Sequence, residues 1–279
     1  MIIKVDDIEF NIVVDEKKLK SDTTPVIFLH GFTGNANDWN FIFDKLPSPF
    51  LPVAIDLIGH GKSSSPDNPK YYTNEAIICQ LNKIIKLLEL DKFIIVGYSM
   101  GGRVALSYSI RYNRNILGAI FESSTAGIQD FNQRKERVEL DFLLSEKIKL
   151  EGIEKFLEYW FSIPLFESLK DINNLEEVKN QRTTNNVIGL SNMLAGFSTG
   201  LMPDYWDRIK EIQFPVLLVS GQVDEKFTGI NSKMAGIIPN CRHEIIANCG
   251  HNTHLENPEL FTKFVRDFLI SIQVQKVEG

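Results

Sequence analysis

An α/β fold, with a mostly parallel, doubly wound sheet interrupted by a helical insertion, follows from three features of the sequence. Short β-branched runs recur along the chain, helical patterns separate them, and one long stretch carries helical patterns without a strand. The runs are PVIFLH (25–30), PVAID (52–56), FIIVG (93–97), GAIFES (118–123), PVLLVSG (215–221) and HEIIA (243–247). Near-continuous apolar runs of this length predict strands buried on both faces, as in a parallel sheet. Regular alternation of strands with helices predicts the doubly wound order, with ligands at the carboxyl ends of the strands.

The segments IIKV and EFNIVV alternate in polarity, and are expected to pair as an antiparallel hairpin at the sheet edge. The stretch TNEAIICQLNKIIKLLEL reads as a helix capped by Thr73, with Ile77, Leu81, Ile84 and Leu88 on its buried face. NPELFTKFVRDFL reads as the last helix, with Asn257 as cap, Pro258 in the first turn, and Phe261, Phe264 and Phe268 facing the core. From Gly127 to Trp206 the patterns are helical, charged at first (FNQRKERVELD) and then aromatic (FLEYWFSIPLF). The expected organisation is a core of residues 1–126 and 207–279, with a cap of residues 127–206 inserted over the sheet's carboxyl edge.

The chain has 279 residues, 43% hydrophobic and 24% charged, with a formal net charge of −6. Such a composition supports a large core and leaves no electrostatic footprint for nucleic acid. No apolar run approaches the roughly 20 residues that span a bilayer. The start, MIIKVDDIEF, lacks an apolar block followed by a small-residue cleavage site. Cys79, Cys241 and Cys249 are odd in number and scattered, which suits a reducing compartment. The expectation is a cytoplasmic protein, monomeric or a small homo-oligomer, with no membrane or nucleic-acid partner.

Chemistry concentrates in GYSMG (97–101), a G-x-S-x-G motif between the strand FIIVG and a helical GGRVALSYSIR. That context places Ser99 on a sharp strand-to-helix turn with its hydroxyl exposed. A serine nucleophile or base needs a histidine, and the histidine needs an orienting carboxylate. Asp224 follows PVLLVSG and His251 follows HEIIANCG, so both lie just past strand ends on the edge that carries Ser99. Asp56 also ends a strand, but DLIGHGKS reads as a packed loop, which makes Asp224 the preferred acid. The turn LHGFTG suggests an oxyanion hole formed by the backbone N–H groups of Phe32 and Met100. His251 and His254 form H-x-x-H without an adjacent third ligand, so no metal is expected, and no cofactor is implied. His30, His60 and His243 read as structural or surface residues.

This combination resembles the α/β-hydrolase fold family across nearly the whole chain, a superfamily of esterases, lipases, C–C bond hydrolases, lyases and receptors. Arg103, four residues beyond Ser99, adds a cation that a simple esterase does not need. LHGFTGNANDW, DLIGHGKSSSP, GYSMGGRVALSY, EYWFSIPLFESL, QRTTNN, GQVDEKF and GHNTHLENP, in that order, resemble the 2-succinyl-6-hydroxy-2,4-cyclohexadiene-1-carboxylate synthase family of menaquinone biosynthesis. Departures are Ile58, where proline is common in D-L-P-G-H-G, and STAGI after the fourth core strand.

The resemblance implies a lyase that eliminates pyruvate from a cyclohexene carrying three carboxylates. It also implies Tyr98, Arg103, Arg137, Trp160, Arg182 and Lys226 around the substrate, with Arg134 a rival to Arg137. Ser99, activated by His251 and Asp224, would take the ring proton. The competing expectations are a carboxylesterase or C–C bond hydrolase with the same triad, and a non-catalytic ligand receptor.

Overall fold

The computed structural model describes residues 1–19 and 22–278. Eight strands form one sheet: β1 (Ile2–Val5), β2 (Ile8–Val13), β3 (Thr24–Leu29), β4 (Phe50–Ile55), β5 (Phe93–Tyr98), β6 (Ile116–Glu122), β7 (Val216–Gly221) and β8 (Cys241–Ile246). Their order is β1-β2-β4-β3-β5-β6-β7-β8. β1 and β2 pair antiparallel at one edge, as their alternation predicts, and β3 to β8 pair in parallel.

Successive residues of each central strand feed opposite layers. Phe93 and Ile95 enter the cluster under one helical layer, while Ile94 and Val96 enter the other. This two-sided burial is the physical basis of the unbroken apolar run. Two strand expectations change in detail. β4 begins at Phe50, ahead of Pro52, because at that point it pairs only with β3 and one side is open, where a proline is tolerated. β8 is not buried on both faces; it is the far edge of the sheet, and Ile245 is 46% exposed.

The core helices are α1 (Asn40–Phe43), α2 (Asn74–Leu87), α3 (Met100–Arg111), α7 (Glu225–Ala235), α8 (Thr253–Glu256) and α9 (Pro258–Glu278), and between β6 and β7 the chain forms α4 (Phe131–Trp160), α5 (Leu175–Arg182) and α6 (Val187–Gly196). The Thr73 side chain accepts from the Ala76 N–H at the start of α2, and Asn257 accepts from the Leu260 N–H at the start of α9. Phe261 and Phe268 are buried, and Phe264 packs partly buried against the same layer.

The insertion leaves and rejoins the core at one place. Tyr205 N–H donates to the Ala126 carbonyl at 2.8 Å, and the Trp206 indole donates to the Gly127 carbonyl at 3.0 Å. Its helices have their own apolar cluster of Leu144, Ile148, Phe156, Leu157, Leu190 and Leu194. α4 is kinked at Gly152, whose φ of 82° and ψ of 172° lie outside the helical region. α6 sits on the core through a glycine pair: a Cβ on Gly59 would lie 2.7 Å from the Gly189 carbonyl oxygen. Insertion residues such as Trp160 and Met193 share one cavity with Ser99, Ser124 and Lys226, which follow β5, β6 and β7.

Candidate active site

Ser99 follows β5 directly and has φ 48° and ψ −103°, a conformation that L-residues rarely adopt. The Arg103 N–H donates to the Ser99 carbonyl at 3.0 Å, which starts α3 against the turn. A Cβ on Gly97 would collide with the Gly101 carbonyl, and one on Gly101 with the Leu29 carbonyl. Both glycines are therefore required for β5, α3 and β3 to approach this closely.

Ser99 Oγ lies 2.9 Å from His251 Nε2, and His251 Nδ1 lies 2.7 Å from Asp224 Oδ2. An Nδ1–H donating to Asp224 leaves Nε2 as acceptor for the serine hydroxyl. Asp224 is itself held, because its Oδ1 accepts from the Phe227 N–H at 3.2 Å as the cap of α7. Glu256 clamps the His251 loop from beneath, accepting from the Gly250 N–H at 2.7 Å and the Asn252 N–H at 3.2 Å. Burial pushes the Glu256 carboxyl above its ordinary pKa, against the pull of those donors.

Asp56 is committed elsewhere. It accepts from the N–H groups of Ala36 and Lys62 and from the Asn11 amide, and so ties the 56–62 loop to the 35–36 turn. The H-x-x-H pair divides into two roles. His254 donates to buried Glu122 at 2.7 Å and stacks on Trp39 at 4.5 Å. Glu122 also accepts from the Thr253 hydroxyl and the His254 N–H. Among the described residues, no group of three or more His, Cys, Asp or Glu side chains could hold a metal ion.

His30 accepts from the Leu57 N–H through Nε2 and donates from Nδ1 to the Gly31 carbonyl, which defines a neutral ring. Burial lowers its pKa accordingly. His60 packs against it at 5.0 Å, and burial holds it well below the ordinary histidine range. Phe32 stands at the cavity wall with its ring 5.3 Å from that of Trp160, and Met100 opens α3. Among the described residues, neither the Phe32 nor the Met100 N–H enters a turn or loop hydrogen bond.

A cavity of about 700 Å³ opens over Ser99 and His251. Its walls include Phe32, Tyr98, Met100 and Trp160, together with the cations Arg103, Arg137, Lys226 and Lys233. Arg103 Nη1 donates to the Phe197 carbonyl at 2.8 Å, and its guanidinium lies over the Phe197 ring at 4.6 Å. Burial, and after it the neighbouring Arg137 charge, push the Arg103 pKa down to about 9, against the opposing pull of Asp141. Arg137 Nε donates to Asp141 Oδ2 at 2.8 Å. Asp141 is 1% exposed, lines the cavity, and has no partner for Oδ1. Burial holds the Tyr98 phenol well above its ordinary pKa, so it remains a neutral donor.

Arg134, the rival to Arg137, is not among the residues lining the cavity: its guanidinium donates to the carbonyls of Gly200 and Met202, and fastens α4 to the end of the insertion. Arg182 departs further from expectation. It does not line the large cavity but makes a bidentate pair with Asp38, at 2.6 and 2.9 Å, with both side chains 5% exposed. A carboxylate already inside the fold occupies the fork that a substrate carboxylate would need.

Asp141, Lys233, Asp38 and Glu256 were not singled out in the sequence. Two of them carried a signal. Asp141 lies four residues after Arg137 on one helix, and Lys233 lies seven after Lys226, both spacings that share a helix face. Asp38 and Glu256 carried none, because their partners are set by the fold.

A serine elbow, a histidine and a carboxylate at the carboxyl edge of such a sheet, beneath a helical roof, define an α/β hydrolase. The chain belongs to that family: the sequence model of the alpha/beta hydrolase fold matches residues 24–258. Within it, the chain belongs with the 2-succinyl-6-hydroxy-2,4-cyclohexadiene-1-carboxylate synthases. It is 40% identical over 264 residues to the putative synthase of Bacillus subtilis (strain 168), covering 93% of this chain and 94% of the relative. It is 28% identical to the synthase of Serratia proteamaculans (strain 568), covering 90% and 95%. Among solved structures it is similar to MenH from S. aureus, with a TM-score of 0.88 and 31% identity over 95% of this chain and 98% of the other. An esterase from Thermogutta terrifontis, 23% identical with a TM-score of 0.80, shares the fold.

Proposed function

We propose that this protein is a carbon–oxygen lyase of menaquinone biosynthesis. It eliminates pyruvate from 2-succinyl-5-enolpyruvyl-6-hydroxy-3-cyclohexene-1-carboxylate to give 2-succinyl-6-hydroxy-2,4-cyclohexadiene-1-carboxylate. The observation that carries the reading is the placement of Arg103 and Arg137 in the same cavity as Ser99. A triad alone serves many reactions. Paired guanidiniums beside it suit a substrate with several carboxylates, and the synthase relatives supply the particular reaction.

The chemistry follows from the distances. As His251 Nε2 takes the Ser99 proton, Ser99 Oγ takes the proton from the ring carbon next to the succinyl ketone. The C–H electrons become a new ring double bond, the existing alkene shifts, and the bond from ring carbon to the enolpyruvyl oxygen breaks. The departing enolate receives the equivalent of the proton held by His251 Nε2 and becomes pyruvate, which returns the triad to its starting state, so neither hydrolysis nor an acyl-enzyme is required. The ketone oxygen gains charge as the proton leaves, and the Phe32 and Met100 N–H groups are the donors we assign to it. Loss of one such donor typically costs about 3–4 kcal/mol in the barrier. Tyr98, Trp160, Arg103, Arg137 and Lys226 bind and orient the tricarboxylate.

The test is pyruvate release from the enolpyruvyl cyclohexene beside turnover of simple aryl esters. Fast ester hydrolysis without pyruvate would replace the lyase by an esterase or C–C hydrolase reading. Ligand binding without any turnover would make it a receptor. Among the described residues no helix is long and apolar enough to cross a membrane. We place the enzyme in the cytoplasm as a monomer or small homo-oligomer, without cofactor.

A further inference from the structure

The Arg182–Asp38 pair is one part of a larger clasp between the insertion and a single core loop. Arg182 ends α5, and Asp38 lies just after the 31–35 turn that carries Phe32. The same Asp38 carboxylate accepts from the Asn35 N–H at 3.3 Å. Three residues after Arg182, the Asn185 amide donates to the Thr33 carbonyl at 2.7 Å, and its oxygen accepts from the Gly61 N–H at 3.0 Å. The amide also donates to the Arg182 carbonyl at 2.9 Å, which couples the two residues. Trp160 closes the third side, edge-on to Phe32. The loop from Gly31 to Asp38 is thus gripped from the insertion by side chains, on the carbonyl next to Phe32 and on the acid that follows.

Arg182 and Asp38 are both nearly inaccessible, and neither lines the large cavity. Their shared position is behind Phe32, where the backbone N–H assigned to the developing oxyanion must be aimed. We propose that Arg182 and Asn185 are positioning residues that hold the Phe32 N–H in place, so that the insertion builds half of the oxyanion hole rather than only covering it. This rests on the lyase reading for its substrate but not for its geometry. An oxyanion donor is effective only if preorganised, and a displacement of about 1 Å can cost about 100-fold in rate.

The experiment compares Arg182→Met, Asp38→Asn, Asn185→Ala and the double variant Arg182→Met/Asp38→Asn with wild type. The readouts are kcat and KM for pyruvate release, and turnover of a neutral aryl ester. The ester uses the oxyanion donors but offers no carboxylate. The expected result is a kcat lower by about 10- to 100-fold, with KM within about threefold, for both Arg182→Met and Asp38→Asn. The double variant should be no worse than the poorer single one. Asn185→Ala, which removes one side chain's bonds and leaves the ion pair, should show the same signature more weakly, and keeps the test open if the pair variants fail to fold. Ester turnover should fall in parallel.

A rise in KM with kcat and ester turnover retained would return Arg182 to carboxylate binding and overturn the proposal. So would a lowered Tm with unchanged kcat, which is the mark of a purely structural pair. If wild type turns over the ester but releases no pyruvate, the lyase reading fails by itself, and the ester arm still decides the role of the clasp. Wild type inert in both assays overturns the two together.

Discussion

Arg137 and Arg182 belong to the same insertion, and the family resemblance placed both at the substrate, yet they are in opposite states. Arg182 is paired inside the fold: Asp38 takes both arms of its fork in a site closed to solvent. Arg137 uses one N–H on Asp141, is 34% exposed along its side chain, and faces the cavity. A buried charge whose fork is taken by an internal carboxylate serves the fold. One with spare donors beside a cavity is ready for a ligand. The contrast extends to the site as a whole, since the triad side chains hydrogen-bond one another while Arg103 and Arg137 face the cavity.

The sharpest way to break this division is to delete the base. His251→Ala should lower kcat by about 10⁴- to 10⁶-fold while leaving the affinity for a non-reacting tricarboxylate analogue largely intact. Calorimetric titration of the variant would show it, and a lost affinity would mean that triad and anion site are not separable.

Next in size are the cavity arginines. Arg137→Gln should lower kcat/KM by the equivalent of about 2–5 kcal/mol, because a bound carboxylate loses its partner. Arg103→Lys keeps the charge but not the fork, and should still impair kcat/KM. Unchanged steady-state kinetics in both variants would remove the anion-binding role.

The pH dependence sharpens the same point. Only the protonated Arg103 binds a carboxylate, and its pKa is pushed down to about 9. The value of kcat/KM should therefore fall as pH rises through about 9. A bound carboxylate favours the charged form, so kcat should fall only at higher pH. Pyruvate release between pH 7 and 10 measures both, and coincident alkaline limbs would exclude Arg103 as their source.

The smallest effect concerns stability. Gly152 kinks α4 with a backbone conformation that is essentially glycine-only, and a Cβ there meets nothing within 4 Å. Gly152→Ala should cost about 1–3 kcal/mol through backbone strain alone. Chemical denaturation would measure it, with kcat/KM retained if the kink does not place Trp160.

Much of this molecule was legible before folding because local rules leave marks in sequence. Strands buried on two faces must be apolar throughout, which exposes β3, β5 and β7. Thr73 and Asn257 had to cap because helix starts need acceptors. Gly97, Ser99 and Gly101 are spaced by the elbow that they build. What escaped reading was pairwise and distant. Asp38 and Arg182 are 144 positions apart, and neither carries a mark that it will meet the other. His254 carries no mark of its partner either, since Glu122 lies 132 positions earlier.

The α/β class, the helical insertion and the order of serine, acid and histidine can be read from local patterns along the chain. The same patterns place each of the three just past a strand end, because periodicity and turn chemistry are properties of neighbouring residues. Which cations face the cavity and which are consumed inside the fold depends on contacts that form only when the chain has folded. A guanidinium serves whatever carboxylate lies within hydrogen-bonding reach, and that distance exists only once the chain has closed.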